Sequence, residues 1–320
     1  MRAISFDDDR LNGALIVASV SGGKDSAAMS LALTANGLEH RRVFADTGWE
    51  HPLTYEYLRG PLTKAIGAID EVMGRDGGMV PLVRRKNMFP FRKIRFCTQE
   101  LKIKPIMAYI APLAETHTIV NAVGIRAGES AARAQLTEWE WSDTFDCWVW
   151  RPLLQWSEQD VISAHLEAGL APNPLYMLGA QRVGCFPCIM SRKSEVRLMG
   201  EIWPERVAEI RVLEKEIGDR TEEKAGGAKK LAQLGKQRPT FFRGTANTLF
   251  PPIDDVLQWS KTTRGGRQFD LLPRDPQEGC MRWGLCDTVS PEDEGDALEK
   301  HGSTMDAAFR APAPPAVGKP

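Results

Sequence analysis

The chain has 320 residues, of which 42% are hydrophobic and 26% are charged, and its formal net charge at pH 7 is -1. This is the composition of an ordinary globular protein, and the near-zero charge excludes a global basic field that would attract nucleic acid. No apolar run approaches the roughly 20 residues needed to span a membrane, and the first residues lack a charged-then-apolar secretory signal. We therefore expect a cytoplasmic protein without membrane contact.

Strand-like and helix-like stretches alternate through the first two thirds of the chain. In order they are a strand at 14–20, a helix at 24–36, a strand at 41–45, a helix at 54–66, a strand at 119–123, a helix at 157–167 that Ser157 caps, and a helix at 204–217. This alternation predicts an α/β fold with a doubly wound, mostly parallel sheet. Ligands of such sheets bind at the carboxyl ends of the strands, where Ser21, Asp46 and Gly124 fall.

The most informative stretch joins the first predicted strand to the first predicted helix. Its residues are Ser21, Gly22, Gly23, Lys24, Asp25 and Ser26. The two glycines allow a sharp bend and a close approach to a ligand, and the helix start offers free N–H groups and a positive dipole end. Lys24 adds a full positive charge. The pattern predicts a site for a phosphate chain, with an ordinary glycine turn as the alternative, and its spacing differs from both the Walker loop and the dinucleotide fingerprint.

Six cysteines in a reducing compartment favour metal ligands or reactive thiols over disulfides. Cys185 and Cys188 form a Cys-x-x-Cys pair, and Cys280 and Cys286 form a Cys-x5-Cys pair. Such pairs hold zinc, an iron–sulfur cluster or a redox disulfide, and a metal needs four thiolates. Which of Cys280 and Cys286 completes a site with the first pair stays open. For Cys147, inside an aromatic run, we predict a buried inert thiol.

Six segments, in order and spanning roughly residues 14–195, resemble the phosphoadenosine phosphosulfate (PAPS) reductase-like branch of the PP-loop ATP pyrophosphatase superfamily. They are the segments 21–26, 44–52, 95–105, 124–133, 150–161 and 173–188. The resemblance implies that the loop 21–26 binds the phosphates of ATP. It implies that Asp46 lies beside the adenosine or helps to bind Mg²⁺. It also implies that Arg126, which follows Gly124, reaches the α-phosphate and that Arg133 adds to this contact. A guanidinium group there would stabilise the charge that develops in the reaction.

The same resemblance implies an iron–sulfur cluster. Cys97, Cys185 and Cys188 match positions where cluster-bearing adenylyl-sulfate reductases hold a [4Fe–4S] cluster. Those enzymes use two adjacent cysteines at the first position, whereas Cys97 stands between Phe96 and Thr98, so one ligand is missing. Cys280 or Cys286 is the candidate replacement, zinc is the alternative metal, and Cys97 is otherwise a free reactive thiol.

Two departures from the reductases favour ATP cleavage. The loop 21–26 is intact, although a sulfonucleotide reductase has no pyrophosphate to bind there, and the C-terminal Glu-Cys-Gly-Leu-His type motif is absent. The pattern is similar to the sulfur-transfer component of DNA phosphorothioation systems and to cluster-dependent tRNA thiolation enzymes. Our first hypothesis is an ATP pyrophosphatase that adenylates an acceptor for sulfur transfer, with Lys24, Asp25, Arg126 and Cys97 as catalytic residues.

Two alternatives remain. One is a thioredoxin-dependent reductase of adenylyl sulfate or its 3′-phosphate, with Cys280 or Cys286 as nucleophile and the run 84–86 as phosphate ligands. The other is a nucleotide-binding subunit of a modification or defence complex.

The implied partners are an adenine nucleotide and a sulfur donor such as a cysteine desulfurase, or thioredoxin for a reductase. DNA or tRNA could bind along the basic stretch 219–247, which is otherwise a solvated face or mobile loop, and a homodimer is a possible assembly. We predict a PP-loop domain at 1–200, a helical and basic extension at 201–290, and a disordered tail at 291–320.

Overall fold

The computed structural model describes residues 2, 4, 6–243, 250–262 and 283. Contacts divide the chain into two units, Met1–Gly279 and Cys280–Pro320, and every helix and strand below lies in the first. Among the described residues, no helix is both long and apolar enough to cross a membrane. The domain boundaries at 200 and 290 stay predictions.

A single six-stranded sheet forms the centre of the first unit. Its strands are β1 (Leu15–Ser19), β2 (His40–Asp46), β3 (Asp70–Met73), β4 (Ile119–Val123), β5 (Trp139–Ser142) and β6 (Cys147–Trp150). The spatial order is β3-β2-β1-β4-β6-β5, and all neighbours are parallel except β5 and β6. The predicted mostly parallel α/β sheet is therefore confirmed.

Helices precede, follow and connect these strands. They are α1 (Lys24–Ala35), α2 (Pro52–Tyr57), α3 (Thr63–Ile66), α4 (Met79–Lys86), α5 (Phe96–Thr98), α6 (Lys104–Ala114), α7 (Glu158–Glu167), α8 (Pro174–Met177), α9 (Lys193–Ile202), α10 (Pro204–Ala225), α11 (Ala228–Gln233) and α12 (Ile253–Ser260). π-helical turns at Leu58–Leu62 and Gln99–Ile103 join α2 to α3 and α5 to α6. Pro61 lies inside the first of these turns, where its missing N–H disturbs regular α-helical bonding.

The predicted start of α7 is confirmed by a reciprocal cap. The Ser157 hydroxyl accepts the Asp160 N–H at 3.1 Å, and the Asp160 carboxylate accepts the Ser157 N–H at 2.7 Å. Two helix-terminal N–H groups are thereby satisfied.

The predicted end of the helix at 204–217 is wrong, since α10 continues to Ala225. Charged residues that suggested a loop from residue 219 onward form ion pairs one turn apart, Lys215 with Asp219 at 2.7 Å and Glu216 with Arg220 at 2.9 Å. Such pairs support a helix. Gly226, with a φ of 84°, ends α10 in the left-handed conformation.

The strand order changes direction between β1 and β4, which defines the position of the site. Ser19 of β1 is in register with Val123 of β4, so the residues that follow them, the loop 21–26 and Gly124, meet at the carboxyl edge. This switch point is where open parallel sheets bind ligands. On another side, Trp49 after β2 shares one buried cluster with Phe186 and with α10 residues such as Leu213.

Candidate nucleotide and cysteine site

The loop 21–26 closes over the first turn of α1. Gly22 has a φ of +72°, and a Cβ there would lie 2.9 Å from a methyl carbon of Thr54. The Ser21 N–H donates to Ser26 Oγ at 3.1 Å, and the Ser26 hydroxyl donates to the Gly23 carbonyl at 3.0 Å. The loop is thus bent tightly at a helix N-terminus, as a phosphate site requires.

Gly124 brings β4 against the same turn. A Cβ on Gly124 would lie 2.8 Å from the Ser26 Cα and 2.9 Å from the Asp25 carbonyl oxygen. Both are backbone atoms, which cannot move aside as a flexible side chain does. Only glycine therefore allows this contact between strand and helix.

Four side chains form a row of alternating charge beside the loop. The Lys24 ammonium lies 3.1 Å from the Asp25 carboxylate and 3.4 Å from that of Glu158 on α7. The second Asp25 oxygen accepts a hydrogen bond from the Arg126 guanidinium. Lys24 and Arg126 are each only 6% exposed. The fold therefore holds two buried cations beside the loop, each balanced by a carboxylate.

A second layer of buried side chains fixes the loop backbone. The Lys24 N–H donates to the Tyr176 hydroxyl at 3.0 Å, and His165 Nε2 lies 2.9 Å from the Lys24 carbonyl oxygen. The Asn173 amide donates to the Gly22 carbonyl at 3.2 Å. Burial lowers the pKa of His165, which favours the neutral ring. Sequence reasoning included Asn173 and Tyr176 in a motif without giving them a role, and no local signal pointed to His165.

Asp46 lies at the carboxyl end of β2, as predicted, and it joins a buried polar network. Its Oδ1 accepts the Gly48 N–H and the Tyr55 hydroxyl, both at 2.7 Å. The same hydroxyl lies 3.0 Å from Glu50 Oε2. Glu50 Oε1 accepts the Thr47 hydroxyl at 2.7 Å. Sequence reasoning missed Tyr55 and missed the role of Glu50, because neither residue stands out by spacing.

The Cys185 segment docks on this network. Cys185 forms an isolated antiparallel bridge with Glu50, and the Phe186 N–H donates to the Trp49 carbonyl at 2.8 Å. Cys185 Sγ lies 3.5 Å from Thr47 Oγ1 and 3.9 Å from Glu50 Oε1. Burial of the thiol, together with the nearby Glu50 charge, raises the pKa of Cys185 to about 11.

The three cysteines matched to the cluster ligands interact with one another and with Lys102. Burial and the Cys188 charge raise the pKa of Cys97. The charge at Cys185 is the largest influence that raises the pKa of Lys102, and Cys188 and Cys97 contribute in the same direction. Cys188 Sγ accepts the Met190 N–H at 3.4 Å. Lys102 therefore supplies a positive charge near the three thiols.

The described residues do not complete such a centre. In the ranges that the structure covers, no three His, Cys, Asp or Glu side chains form a group able to hold a metal ion. Cys280 and Cys286, the predicted sources of the missing ligand, lie outside the described residues. Cys147 is 4% exposed, as the prediction of a buried thiol requires, and burial raises its pKa to about 11. That this thiol is inert stays a prediction.

The other predicted cations are engaged elsewhere. Arg133 pairs with Glu129, while Arg84 pairs with Glu216 at 3.0 Å and Arg85 with Asp76 at 2.5 Å. In the basic stretch, Arg238 pairs with acidic residues of α10. These pairings are those of a solvated charged surface, which sequence reasoning gave as the ordinary interpretation.

Comparison with known proteins identifies the family. The model of the phosphoadenosine phosphosulfate reductase domain matches residues 15–191, more than half of the chain, including the loop, Gly124 and the Cys-x-x-Cys pair. The chain belongs to this PAPS reductase domain family.

Similar proteins within this comparison include phage and bacterial sequences. An uncharacterized 37.8 kDa protein in the gpa 5′ region of Escherichia phage 186 is 32% identical over 316 residues, covering 80% of this chain and 91% of that protein. The adenosine 5′-phosphosulfate reductase of Streptomyces coelicolor is 28% identical over 157 residues, covering 46% of this chain and 60% of the enzyme. The chain is therefore similar to an enzyme that acts on an adenine nucleotide.

Two solved structures show more distant likeness. The PAPS reductase of Candida auris in a phosphate complex aligns at a TM-score of 0.44 and 16% identity, over 54% of this chain and 82% of that one. The FMN adenylyltransferase of Candida glabrata with FAD and pyrophosphate aligns at a TM-score of 0.41 and 18% identity, over 55% of this chain and 56% of that one.

Proposed function

We propose that this protein is an ATP pyrophosphatase that adenylates an acceptor and supports sulfur transfer to it. The row of alternating charge beside the intact loop carries the proposal. Two buried cations, Lys24 and Arg126, meet a helix N-terminus that Gly22 and Gly124 open to close approach. That arrangement suits a polyphosphate with a reacting α-phosphorus better than a lone sulfate.

In the proposed reaction an acceptor oxygen attacks the α-phosphorus, and the bond from that phosphorus to the pyrophosphate oxygen breaks. Lys24 stabilises the leaving pyrophosphate, and Arg126 stabilises charge on the α-phosphoryl group. Asp25 holds both cations in place before the nucleotide binds. Asp46 is the candidate ligand for Mg²⁺, which when bound would neutralise phosphate charge.

Sulfur transfer would follow at the cysteine site. Sulfide attacks the activated acceptor atom, the bond from that atom to the adenylyl oxygen breaks, and AMP leaves with the bonding electron pair. Cys97, Cys185 and Cys188, with Cys280 or Cys286, are the proposed ligands of an iron–sulfur cluster, with zinc as the alternative. A bound cluster would supply a site for sulfur coordination and electron transfer.

The test measures turnover of labelled ATP by the full chain, purified without oxygen, with Mg²⁺ and candidate acceptors that include DNA and tRNA. We expect AMP and pyrophosphate in equal amounts with the correct acceptor, and exchange of labelled pyrophosphate into ATP. Binding of ATP without turnover for any acceptor or partner would instead support a nucleotide-binding subunit. Iron, sulfide and zinc analysis of the same preparation tests the metal.

A reductase is the second candidate, since the family model and the Streptomyces relative are both sulfonucleotide reductases by name. In that reaction a cysteine thiolate attacks the sulfate sulfur, AMP or its 3′-phosphate leaves, and thioredoxin reduces the resulting thiosulfonate to release sulfite. Sulfite release from adenylyl sulfate or its 3′-phosphate, with no cleavage of ATP, would overturn the proposed ATP reaction.

A further inference from the structure

Two hydroxyl groups connect the nucleotide end of β2 to the Cys185 sulfur. From Asp46 the contacts pass through Tyr55, Glu50 and Thr47 to Cys185, at distances of 2.7, 3.0, 2.7 and 3.5 Å. Glu50 is 3% and Thr47 1% exposed, and Asp46 is 8% exposed. Tyr55 and Cys185 are partly exposed, so most but not all of the path is buried. Each contact lies within hydrogen-bond reach once the larger sulfur atom is considered.

The path contains fewer protons than acceptors. A tyrosine hydroxyl has one proton, yet the Tyr55 oxygen lies 2.7 Å from Asp46 Oδ1 and 3.0 Å from Glu50 Oε2. Burial and these two carboxylates raise the pKa of Tyr55 far above its usual value, so the hydroxyl stays protonated and has one proton to donate. It can donate to one carboxylate at a time, with the shorter distance favouring Asp46.

Thr47 presents the same choice one step further. Its single hydroxyl proton faces Glu50 Oε1 at 2.7 Å and Cys185 Sγ at 3.5 Å. Glu50 also accepts the Thr47 N–H at 3.3 Å and the Trp49 N–H at 3.2 Å. When the Tyr55 hydroxyl donates to Glu50 instead of Asp46, the Glu50 carboxylate gains a hydrogen-bond donor. The bond from the Thr47 hydroxyl to Glu50 then contributes less, and this hydroxyl can donate to the sulfur.

We propose that Tyr55 and Thr47 are positioning residues that couple nucleotide occupancy at Asp46 to hydrogen bonding at the Cys185 sulfur. A nucleotide or its cation at Asp46 competes for the oxygen that accepts from Tyr55. The Tyr55 proton then turns to Glu50, and the Thr47 hydroxyl turns from Glu50 to the sulfur. Only two hydroxyl groups rotate in this exchange.

This inference rests on the proposed function, because it requires a nucleotide at Asp46. Coupling between two sites is reciprocal, so a change at the sulfur must also alter nucleotide affinity by the same factor. The chain offers a matched control in Tyr57, whose hydroxyl donates to the Ala171 carbonyl at 3.0 Å and lies off the path.

The experiment measures the rate at which iodoacetamide alkylates Cys185, with mass spectrometry to identify the modified cysteine. The full-length protein carries no metal on its cysteines and is compared with and without a non-hydrolysable ATP analogue and Mg²⁺. We expect the analogue to raise the Cys185 rate about threefold, because a hydroxyl donated to sulfur favours its reactive form. The nucleotide effect should disappear in Tyr55→Phe and Thr47→Val and persist in Tyr57→Phe.

Calorimetric titration of each variant with the same analogue separates the possible failures. If the analogue binds tightly and the Cys185 rate does not change in the wild type, the coupling is wrong while nucleotide binding stands. If the analogue does not bind at all, the proposed function fails first. A nucleotide effect that survives unchanged in both Tyr55→Phe and Thr47→Val would exclude the hydroxyl path.

Discussion

The ammonium of Lys24 lies 3.4 Å from the carboxylate of Glu158, which belongs to the first turn of α7. A helix distant in sequence thus contributes a counter-charge to the loop 21–26. Asp25 also pairs with Lys24. In the proposed nucleotide site, an incoming phosphate would compete with both carboxylates for Lys24.

Replacing Glu158 with Gln is expected to tighten pyrophosphate binding about twofold to fivefold, since a partly exposed pair contributes up to about 1 kcal/mol. Calorimetric titration with pyrophosphate at low ionic strength measures the effect, and added salt should reduce it. Glu205→Gln is the control, because Glu205 occupies the first turn of α10. Weaker binding in Glu158→Gln would mean that Glu158 supports the site instead of competing for it.

Replacing Lys24 with Met is expected to weaken ATP binding about 10- to 100-fold, the range for losing a hydrogen bond to a charged group. The variant also leaves Asp25 facing the phosphates with less compensation. Equilibrium binding of a fluorescent ATP analogue gives the affinity, and Lys215→Met, at an exposed position of α10, is the control. Unchanged affinity for Lys24→Met would remove the loop lysine from the site.

Adding one methyl group at Gly124 should displace the first turn of α1, because the new Cβ meets Ser26 backbone at 2.8 Å. Gly124→Ala is expected to lower the free energy of unfolding by about 1–3 kcal/mol and to reduce ATP affinity. Gly128→Ala is a close control, since nothing lies within 4 Å of a Cβ there. Urea unfolding and ATP titration of both variants test this, and equal behaviour of the two would contradict it.

Two buried histidines should make the protein sensitive to mild acid. Burial lowers the pKa of His40 and of His51 from 6.5 to about 4. Between pH 6.5 and pH 4 the unfolded chain therefore binds more protons than the folded protein. The free energy of unfolding should fall by about 1–3 kcal/mol per histidine as the pH drops through this range.

Urea unfolding at intervals between pH 7.5 and 4.5 measures this slope. His40 Nε2 lies 2.7 Å from Ser30 Oγ and its Nδ1 lies 2.8 Å from the Leu38 carbonyl, which suits the neutral ring. A His40→Gln variant should show a shallower slope than the wild type. A flat profile above pH 4.5 would show that these rings do not remain neutral in the fold.

Glu214 of α10 joins two later segments through its carboxylate. Its two oxygens accept the Phe241 N–H and the Ile253 N–H, both at 2.9 Å, and its side chain is buried. Glu214→Ala leaves both donors unsatisfied and should cost about 2–4 kcal/mol. Glu214→Gln should cost less, and Glu201→Ala on the exposed side of α9 should cost little in the same urea unfolding assay. A small loss for Glu214→Ala would show that water replaces the carboxylate.

Sequence patterns predicted the parts of the site that follow from residue type, from local spacing and from the ends of parallel strands. The bend at Gly22 and the contact between Gly124 and Ser26 follow from strand ends that meet at one edge of a parallel sheet. The cap at Ser157 follows from residue type and spacing.

The missed parts depend on distant contacts. Glu158 and His165 reach Lys24 only because α7 packs against α1, and nothing in their own surroundings marks them. Glu50 lies inside a recognised segment, yet it pairs with Cys185 through one isolated backbone bridge between two segments that are far apart in sequence. The end of α10 was misjudged because its charges pair along the helix, which composition alone does not reveal.

The backbone pairing of Glu50 with Cys185 has a consequence for protein engineering. The first residues of the Cys-x-x-Cys segment are held by backbone hydrogen bonds to the turn that follows β2. A transplant of that segment into another α/β scaffold should fail to order the thiols unless residues 46–50 are carried with it. Residues 46–50 and the Cys-x-x-Cys segment therefore form one structural unit and should be transferred together.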